Sequence, residues 1–417
     1  MTEKQVALVL GGTSPHIELI RKLKARGYHV ILVDYLDNPP ARKHADLHIK
    51  ESTLDKELIL SLAREYNAAL VISTCIDQAN SVCCYVAEKL GLPHPYSYST
   101  SLDVTDKGLM KKIMVDNGIP TSHYMLVTDV EDVDWSGIVY PSVVKPVDCN
   151  SSKGVCRVDS KEEAVERLLQ ALGMSRSGCA IIEGFNEGNE IQVDCAATPE
   201  GVKVVLTRQK QRIVADGNRM VLQSFGSIFP APLDDELKHQ AVEIAQKIAD
   251  AFGLHNTPFF YQAIVTEEGI KVLEFAPRIG GGLSYYVLKE LAGFDAVEAA
   301  VQSFVGEPVT FSGKQLSGYF SSNIIYMKPG VFDHISGLEK MKQNGLVYEM
   351  FMMKSKGDEV DGDMRSSNRV AAFIVNAAST EELYAKASEV FSGIEVYSTG
   401  MEPLLNRSVY PFNNWKK

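Results

Sequence analysis

Glu274 sits inside an apolar run, Val272-Leu273-Glu274-Phe275. A carboxylate in an apolar strand needs a partner. Two partners suit it: an arginine or lysine on a neighbouring element, or Mg²⁺, a hard cation that takes one or two carboxylates and phosphate oxygens. The next residues include Arg278-Ile279-Gly280-Gly281-Gly282, a permanent cation and three glycines that let a backbone approach a ligand. A carboxylate, a cation and glycines so close together point to phosphate chemistry. Two apolar runs, Phe259 to Val265 and Ile270 to Phe275, flank Glu267-Glu268-Gly269. A three-residue hairpin loop closed by a left-handed glycine makes the pairing symmetric about residue 268. Gln262 then faces Glu274 and Ile264 faces Val272.

Other residues could meet an anion. Lys145 ends the apolar run Ser142-Val143-Val144 and either snorkels to the rim or points at a negative charge. The loop after it, Asp148-Cys149-Asn150-Ser151-Ser152-Lys153-Gly154, is small and polar. Its backbone N–H groups and the hydroxyls of Ser151 and Ser152 could cradle phosphate, or the stretch is an ordinary turn. It lacks the GxxxxGK[ST] spacing of a Walker A loop. Glu183 ends the run Ala180-Ile181-Ile182 and is followed by Phe185 and Glu190. The two glutamates are either surface carboxylates flanking a turn or the edge of a purine nucleoside site, with Glu190 on the ribose hydroxyls. Lys107 opens a helix and, taken alone, is a solvated lysine. Arg208, Lys210 and Arg212 alternate; if their strand continues, all three share one face and could grip a carboxylate or phosphate.

The elements that position these groups follow from periodicity. Val6 to Leu10 is a continuous apolar run, as in a strand buried on both faces, and ends in Gly11-Gly12-Thr13. Pro15 suits the first turn of a helix stopped by Gly27. Val30 to Val33, Ala69 to Ile72 and helices over 58–66 and 79–90 complete a βαβαβα series, hence a parallel sheet with helices on both faces. Beyond Pro93 and Pro95 a helix runs from about Asp106 to Asp116, and strands then dominate. Ser160 is an expected N-cap for a helix over 161–172, and a long helix spans 235–252 before Gly253. The polar stretch from Ser355 to Asn368 reads as a loop. The expected domains are a parallel α/β domain over 1–100, a nucleotide domain over 101–305 with a lobe about 121–200, and an α+β accessory domain over 306–417.

His16 follows the first glycine turn at the carboxyl edge of the sheet, where ligands of α/β folds collect. It either lines a pocket or is a capping or solvent-exposed residue. The same turn, with Asp34 ending the second strand, offers an NAD-dependent oxidoreductase as an alternative, although the third glycine of GxGxxG is missing.

Composition narrows the function classes. The chain has 417 residues, 45% hydrophobic and 23% charged, with 42 Lys and Arg against 53 Asp and Glu, a net charge of −11. Such a chain is a poor match for nucleic-acid polymers or anionic membranes. No apolar run reaches the roughly 18 residues of a membrane span. The start, MTEKQVALVLGGT, lacks the apolar length and cleavage site of a signal peptide. Seven cysteines without zinc or CxxC spacing read as buried reduced thiols of a cytoplasmic protein.

In order and spacing, these segments resemble the ATP-grasp ligases, among them biotin carboxylase, the carbamoyl-phosphate synthetase large chain, phosphoribosylglycinamide synthetases and L-amino-acid ligases. The resemblance covers roughly residues 1–305. Thr105-Asp106-Lys107 with Asn117-Gly118-Ile119-Pro120 is similar to the family's DK…GIP segment, Tyr140 to Pro146 to its YPvvvKP strand, and Val272 to Arg278 to its vlEfNpR segment. The resemblance implies an N-terminal Rossmann-like domain, a two-lobed nucleotide domain and an ATP-dependent carbon–nitrogen ligase working through an acyl phosphate. It assigns ATP contacts to Lys107, Lys145, Ser151, Ser152, Glu183, Phe185 and Glu190, and metal contacts to Glu274 and Gln262. Substrate contacts fall to Arg208, Arg278, Gly280 and Gly281, and catalysis to Arg278 and Lys145. The implied cofactors are ATP and Mg²⁺, or Mn²⁺; the partners are a small carboxylic acid, such as an amino acid, and an amine. A homodimer is compatible with the resemblance. The chain departs from the family where Gln262 replaces a glutamate and Ala276 an asparagine, both metal ligands there. That departure motivates a second alternative, an ATP-binding sensor without turnover.

Overall fold

The computed structural model describes residues 4–149, 154–214, 220–314, 317–362, 364 and 368–410. Two compact units divide the chain. The first comprises Met1–Gly188, Gln192–Leu206 and Leu233–Lys314; the second comprises Asn189–Ile191, Thr207–Pro232 and Gln315–Lys417.

The first unit opens with a parallel sheet in the order Leu47–Ile49, His29–Val33, Val6–Leu10, Ala68–Ile72. Val6–Leu10 pairs on both edges, and Ala7 to Leu10 are fully buried, which explains their unbroken apolar run. Leu47–Ile49 adds a strand that periodicity did not show, because three residues with His48 at the centre carry no pattern. Pro15 lies in the first turn of the helix Ser14–Ala25. The helices Asp77–Leu90 and Asp235–Phe252 both end on left-handed glycines, Gly91 and Gly253.

An antiparallel sheet follows, in the order Tyr124–Val127, Ala180–Gly184, Ser142–Pro146, Cys156–Val158. The helix Lys161–Met174 covers it, burying Ala164 and Leu168 with Val144, Val158 and Ile182. Ser160 accepts the Glu163 N–H at its start, as expected. The helix Lys107–Asp116 is capped by Asp106, which accepts from the N–H groups of Gly108 and Leu109 at 2.8 and 2.9 Å. A hairpin, Thr257–Thr266 with Gly269–Ala276, completes the part of this unit that matters for chemistry.

In the second unit, Met220–Phe229, Tyr319–Ile325, Ala371–Ala377 and Glu349–Met352 form consecutive antiparallel neighbours. Phe373 of this sheet packs on Phe391 of the helix Thr380–Gly393. The stretch expected to be a loop contains a short strand, Glu359–Val360, which pairs with Gly330 and Val331. No helix among the described residues is long and apolar enough to cross a membrane. All seven thiols are free, but only Cys83, Cys84 and Cys195 are buried; the other four are half-buried.

His16 departs from the exposed or capping role. It is fully buried under the glycine turn, where a Cβ on Gly11 would come within 3.1 Å of its ring. Its Nδ1 is 2.8 Å from Thr13 Oγ1 and its Nε2 3.3 Å from Ser73 Oγ. Ser73 already donates to the Leu10 carbonyl at 2.7 Å, so it accepts from Nε2–H, and Nδ1 accepts from Thr13. Both nitrogens are therefore satisfied by the neutral ring. Burial lowers its pKa to about 4, against the raising effect of nearby Leu10 and Thr13. The contribution to stability is complete above the unfolded value of about 6.5 and is lost as the pH falls through about 4. Urea unfolding at pH 7 and pH 4 should show the wild-type chain losing about 3 kcal/mol more than His16→Gln. Equal losses would contradict a neutral buried ring.

Candidate functional site

The antiparallel sheet of the first unit presents two of the expected residues together. Lys145 pairs in register with Ile181, and Val143 with Glu183. The strand period puts Lys145 and Glu183 on one face as diagonal neighbours. Lys145 Nζ donates to Glu183 Oε1. Both side chains are buried, so neither the solvated-rim reading of Lys145 nor the surface-turn reading of Glu183 holds.

A second cation reaches the same carboxylate. Lys111, on the helix Lys107–Asp116, is 1% exposed and places Nζ 3.1 Å from Glu183 Oε2. It also donates to Thr121 Oγ1 at 2.5 Å and to the Val272 carbonyl at 3.4 Å. Burial would raise the Glu183 carboxyl; Lys111 and Lys145 outweigh it and hold its pKa down at about 2. Burial lowers the Lys111 ammonium against the opposing pull of Glu183. Sequence reasoning passed over Lys111. Its signal was the four-residue step from Lys107, one helical turn along the stripe that ends in the buried Met114.

Lys107 is not simply solvated. Its Nζ donates to the Cys149 carbonyl at 2.7 Å, where the small-residue loop begins. Ser151 and Ser152 lie outside the described residues. Phe185 donates its N–H to the Pro141 carbonyl at 3.1 Å, and the Arg157 guanidinium lies 4.6 Å from the centre of its ring.

The carboxylate hairpin is paired as expected from Phe260 to Gln262 and is shifted by one residue nearer the loop. Gln262 faces Glu274. However, Thr266 pairs with Gly269, so the loop is the two-residue Glu267-Glu268, and Ile264 faces Lys271 rather than Val272. An irregularity between Gln262 and Ala263, where Leu273 is the extra residue, restores the offset. Glu274 is half-buried and makes no hydrogen bond or ion pair with another described residue. Its charge acts on Lys111 and Arg278. Ala276 faces Phe260 and brings no oxygen. No cluster of three His, Cys, Asp or Glu occurs among the described residues. One carboxylate and one amide oxygen fit a Mg²⁺ ion whose remaining ligands are phosphate oxygens and water.

Arg278 is held firmly. Its Nε and Nη2 donate to Asp77 at 2.7 and 2.6 Å, and Nη1 donates to the Ile279 carbonyl at 2.9 Å. Phe260 lies beneath it at 5.0 Å. Burial opposes the charge, and Asp77 more than offsets that, raising the pKa. Asp77, the first residue of its helix, was not foreseen, because 201 positions separate it from its partner. Gly280 is buried, while Gly281 is exposed and accepts from Ser284 Oγ at 3.0 Å. Gly282 has φ 62°, the left-handed conformation that favours glycine.

In the second unit, Glu190 is buried and bound by both Lys210 and Arg212. The strand Gly201–Val214 does continue through the basic residues, and two of its cations close on this internal carboxylate. Arg208 lies 5.8 Å from the centre of the Phe229 ring.

Nothing supports the oxidoreductase alternative, and Asp34 is engaged in its own turn. Its Oδ2 accepts the Gly12 N–H at 2.7 Å and its Oδ1 the Leu36 N–H at 2.9 Å. Pro39 packs on the turn, where a Cβ added to Gly12 would lie 2.5 Å from it.

A parallel sheet followed by a lysine-bearing antiparallel sheet and a carboxylate hairpin defines the ATP-grasp class of fold. Residues 105–282 match the phosphoribosylglycinamide synthetase ATP-grasp (A) domain, and residues 323–398 match the L-amino acid ligase C-terminal domain 2. These matches carry the likeness of the chain to the ATP-grasp ligases, through an ATP-grasp domain over residues 105–282. It is similar to the formate-dependent phosphoribosylglycinamide formyltransferase of Methanocaldococcus jannaschii, 26% identical over 73% of this chain and 77% of that one. An uncharacterised protein of Sinorhizobium fredii, y4rH, is 25% identical over 61% of this chain; the match spans about half, 53%, of that relative's length. The crystal structure of L-amino acid ligase from Bacillus licheniformis superposes with a TM-score of 0.79 at 21% identity, covering 96% of this chain and all (100%) of that one.

The Arg278–Asp77 contact has a measurable consequence. Asp77→Ala strands a largely buried guanidinium, which should cost about 2–3 kcal/mol in urea unfolding, less than a fully buried pair because both groups keep some solvent. Stability within about 0.5 kcal/mol of wild type would show that the pair is dispensable.

Proposed function

We propose that the protein joins a small carboxylic acid, with amino acids as the leading class, to an amine at the expense of ATP. The observation that carries this reading is Glu274, a half-buried carboxylate without a side-chain partner among the described residues, opposite Gln262. The match of residues 323–398 to the L-amino acid ligase C-terminal domain 2 supports amino acids as the carboxylate class.

In the proposed reaction a carboxylate oxygen attacks the γ-phosphorus of ATP, and the bond to ADP breaks. The amine then attacks the acyl carbon, its proton leaves, and the C–O bond to phosphate breaks. The products are an amide, ADP and phosphate. Phosphoryl transfer asks a protein chiefly to position groups and neutralise charge. Lys107 and Lys145 offset the phosphates. Asp77 and the Ile279 carbonyl engage three of the five N–H groups of Arg278. The other two can meet the transferring phosphoryl group and then the tetrahedral intermediate. Glu274 and Gln262 would hold Mg²⁺, which would screen the charge of the phosphates.

The test is MgATP-dependent ADP release across amino acids and other small carboxylates, offered alone and with amines. The reading predicts stimulation by a carboxylate–amine pair. It also predicts that Glu274→Ala lowers turnover by about 100-fold or more with an unchanged unfolding curve. ATP binding without stimulated turnover across the panel, or full activity in the variant, would contradict it.

A further inference from the structure

Lys111 has no role in the chemistry described above, yet it is one of the largest fully buried side chains. A lysine that far from water needs a reason, because burial disfavours its charged form. Its surroundings provide one. Glu183 Oε2 is buried, and the Lys111 ammonium 3.1 Å away is the counter-charge at that oxygen. The other oxygen, Oε1, receives Lys145.

The charge count matters. Glu183 fixes Lys145 in place, but a carboxylate in direct contact also cancels the charge that a phosphate would meet. With Lys111 present, two cations share one anion and the group retains one positive charge. Without it the group is neutral. Lys111 also reaches the Val272 carbonyl, to which Thr121 Oγ1 donates at 2.7 Å, two residues before Glu274. It therefore ties the lysine sheet to the strand that carries the metal-binding carboxylate.

We propose that Lys111 is a positioning residue that offsets Glu183, so that Lys145 is held rigidly and still presents net positive charge to the nucleotide phosphates. This rests on the ATP reading given above. A lysine serving only as packing would be replaceable by an apolar side chain of similar length without effect on nucleotide affinity. A charge-setting lysine has a different signature: its loss is repaired by removing the charge it offsets.

Calorimetric titration of the full chain with MgATP distinguishes the two. Lys111→Met should weaken binding about tenfold or more, because Lys145 is then neutralised. Lys111→Met combined with Glu183→Gln restores the net single positive charge and should bind at least about threefold more tightly than Lys111→Met. Lys111→Arg keeps the charge and should also stay close to wild type. If Lys111→Met does not fold, Lys111→Gln, which keeps a hydrogen-bond donor but no charge, decides in its place and should show the same weakening. Wild-type affinity in Lys111→Met would overturn the proposal, as would a double variant that binds MgATP no more tightly than Lys111→Met. Failure of the wild-type chain itself to bind MgATP would instead overturn the ATP reading.

Discussion

One buried carboxylate sets the terms for the lysine-bearing antiparallel sheet. Glu183 lies on the face of an antiparallel sheet, out of water, and its ionised form survives there because two ammonium groups reach it from different elements. Breaking such a cluster by removing one partner typically costs about 3–5 kcal/mol. The arrangement therefore fixes more than itself. It holds Lys145 against the sheet and anchors the helix Lys107–Asp116. Through Thr121 and the Val272 carbonyl it reaches the hairpin strand that carries Glu274. The same logic recurs at Arg278 with Asp77, and in the second unit at Glu190 with Lys210 and Arg212. In each case an unavoidable buried charge is matched by a partner far away in sequence.

That distance explains what a sequence reader can and cannot see. The parallel strands, the capped helices and their glycine stops were legible because each follows from neighbours within a few residues. The pairing of Gln262 with Glu274 was legible too, though for an incomplete reason. The loop is one residue shorter than its glycine suggested, and an irregularity beside Glu274 compensates. A symmetric register drawn through the whole hairpin is right at residue 262 and wrong at residue 264. Lys111 and Asp77 were not legible, since their meaning lies in partners 72 and 201 residues away, and a lysine on a helix reads as solvated until its neighbours are known. His16 was misjudged on the same grounds: only the folded turn shows that its ring is enclosed by Thr13 and Ser73.

The net charge of −11 takes on a different sense in this setting. It weighs against phosphate polymers and anionic surfaces, but says nothing about a small nucleotide. Locally the balance is reversed: Lys107, Lys111 and Lys145 belong to the lysine sheet and its adjoining helix, where Glu183 compensates only one charge. The proposed metal site is arranged the other way. Gln262 and Ala276 reduce the protein's own contribution there to one carboxylate, so under that proposal a cation would depend on the phosphates that accompany it.

The central claim is that ATP activates a carboxylate by phosphorylating it, and the fate of a single oxygen atom tests that claim most directly. A carboxylate that stimulates ADP release is supplied with both oxygens as ¹⁸O, and the released phosphate is analysed by mass spectrometry. An acyl phosphate requires one labelled oxygen to pass from the carboxylate to each phosphate formed. Phosphate released without label, at a rate matching ADP formation, would contradict the account.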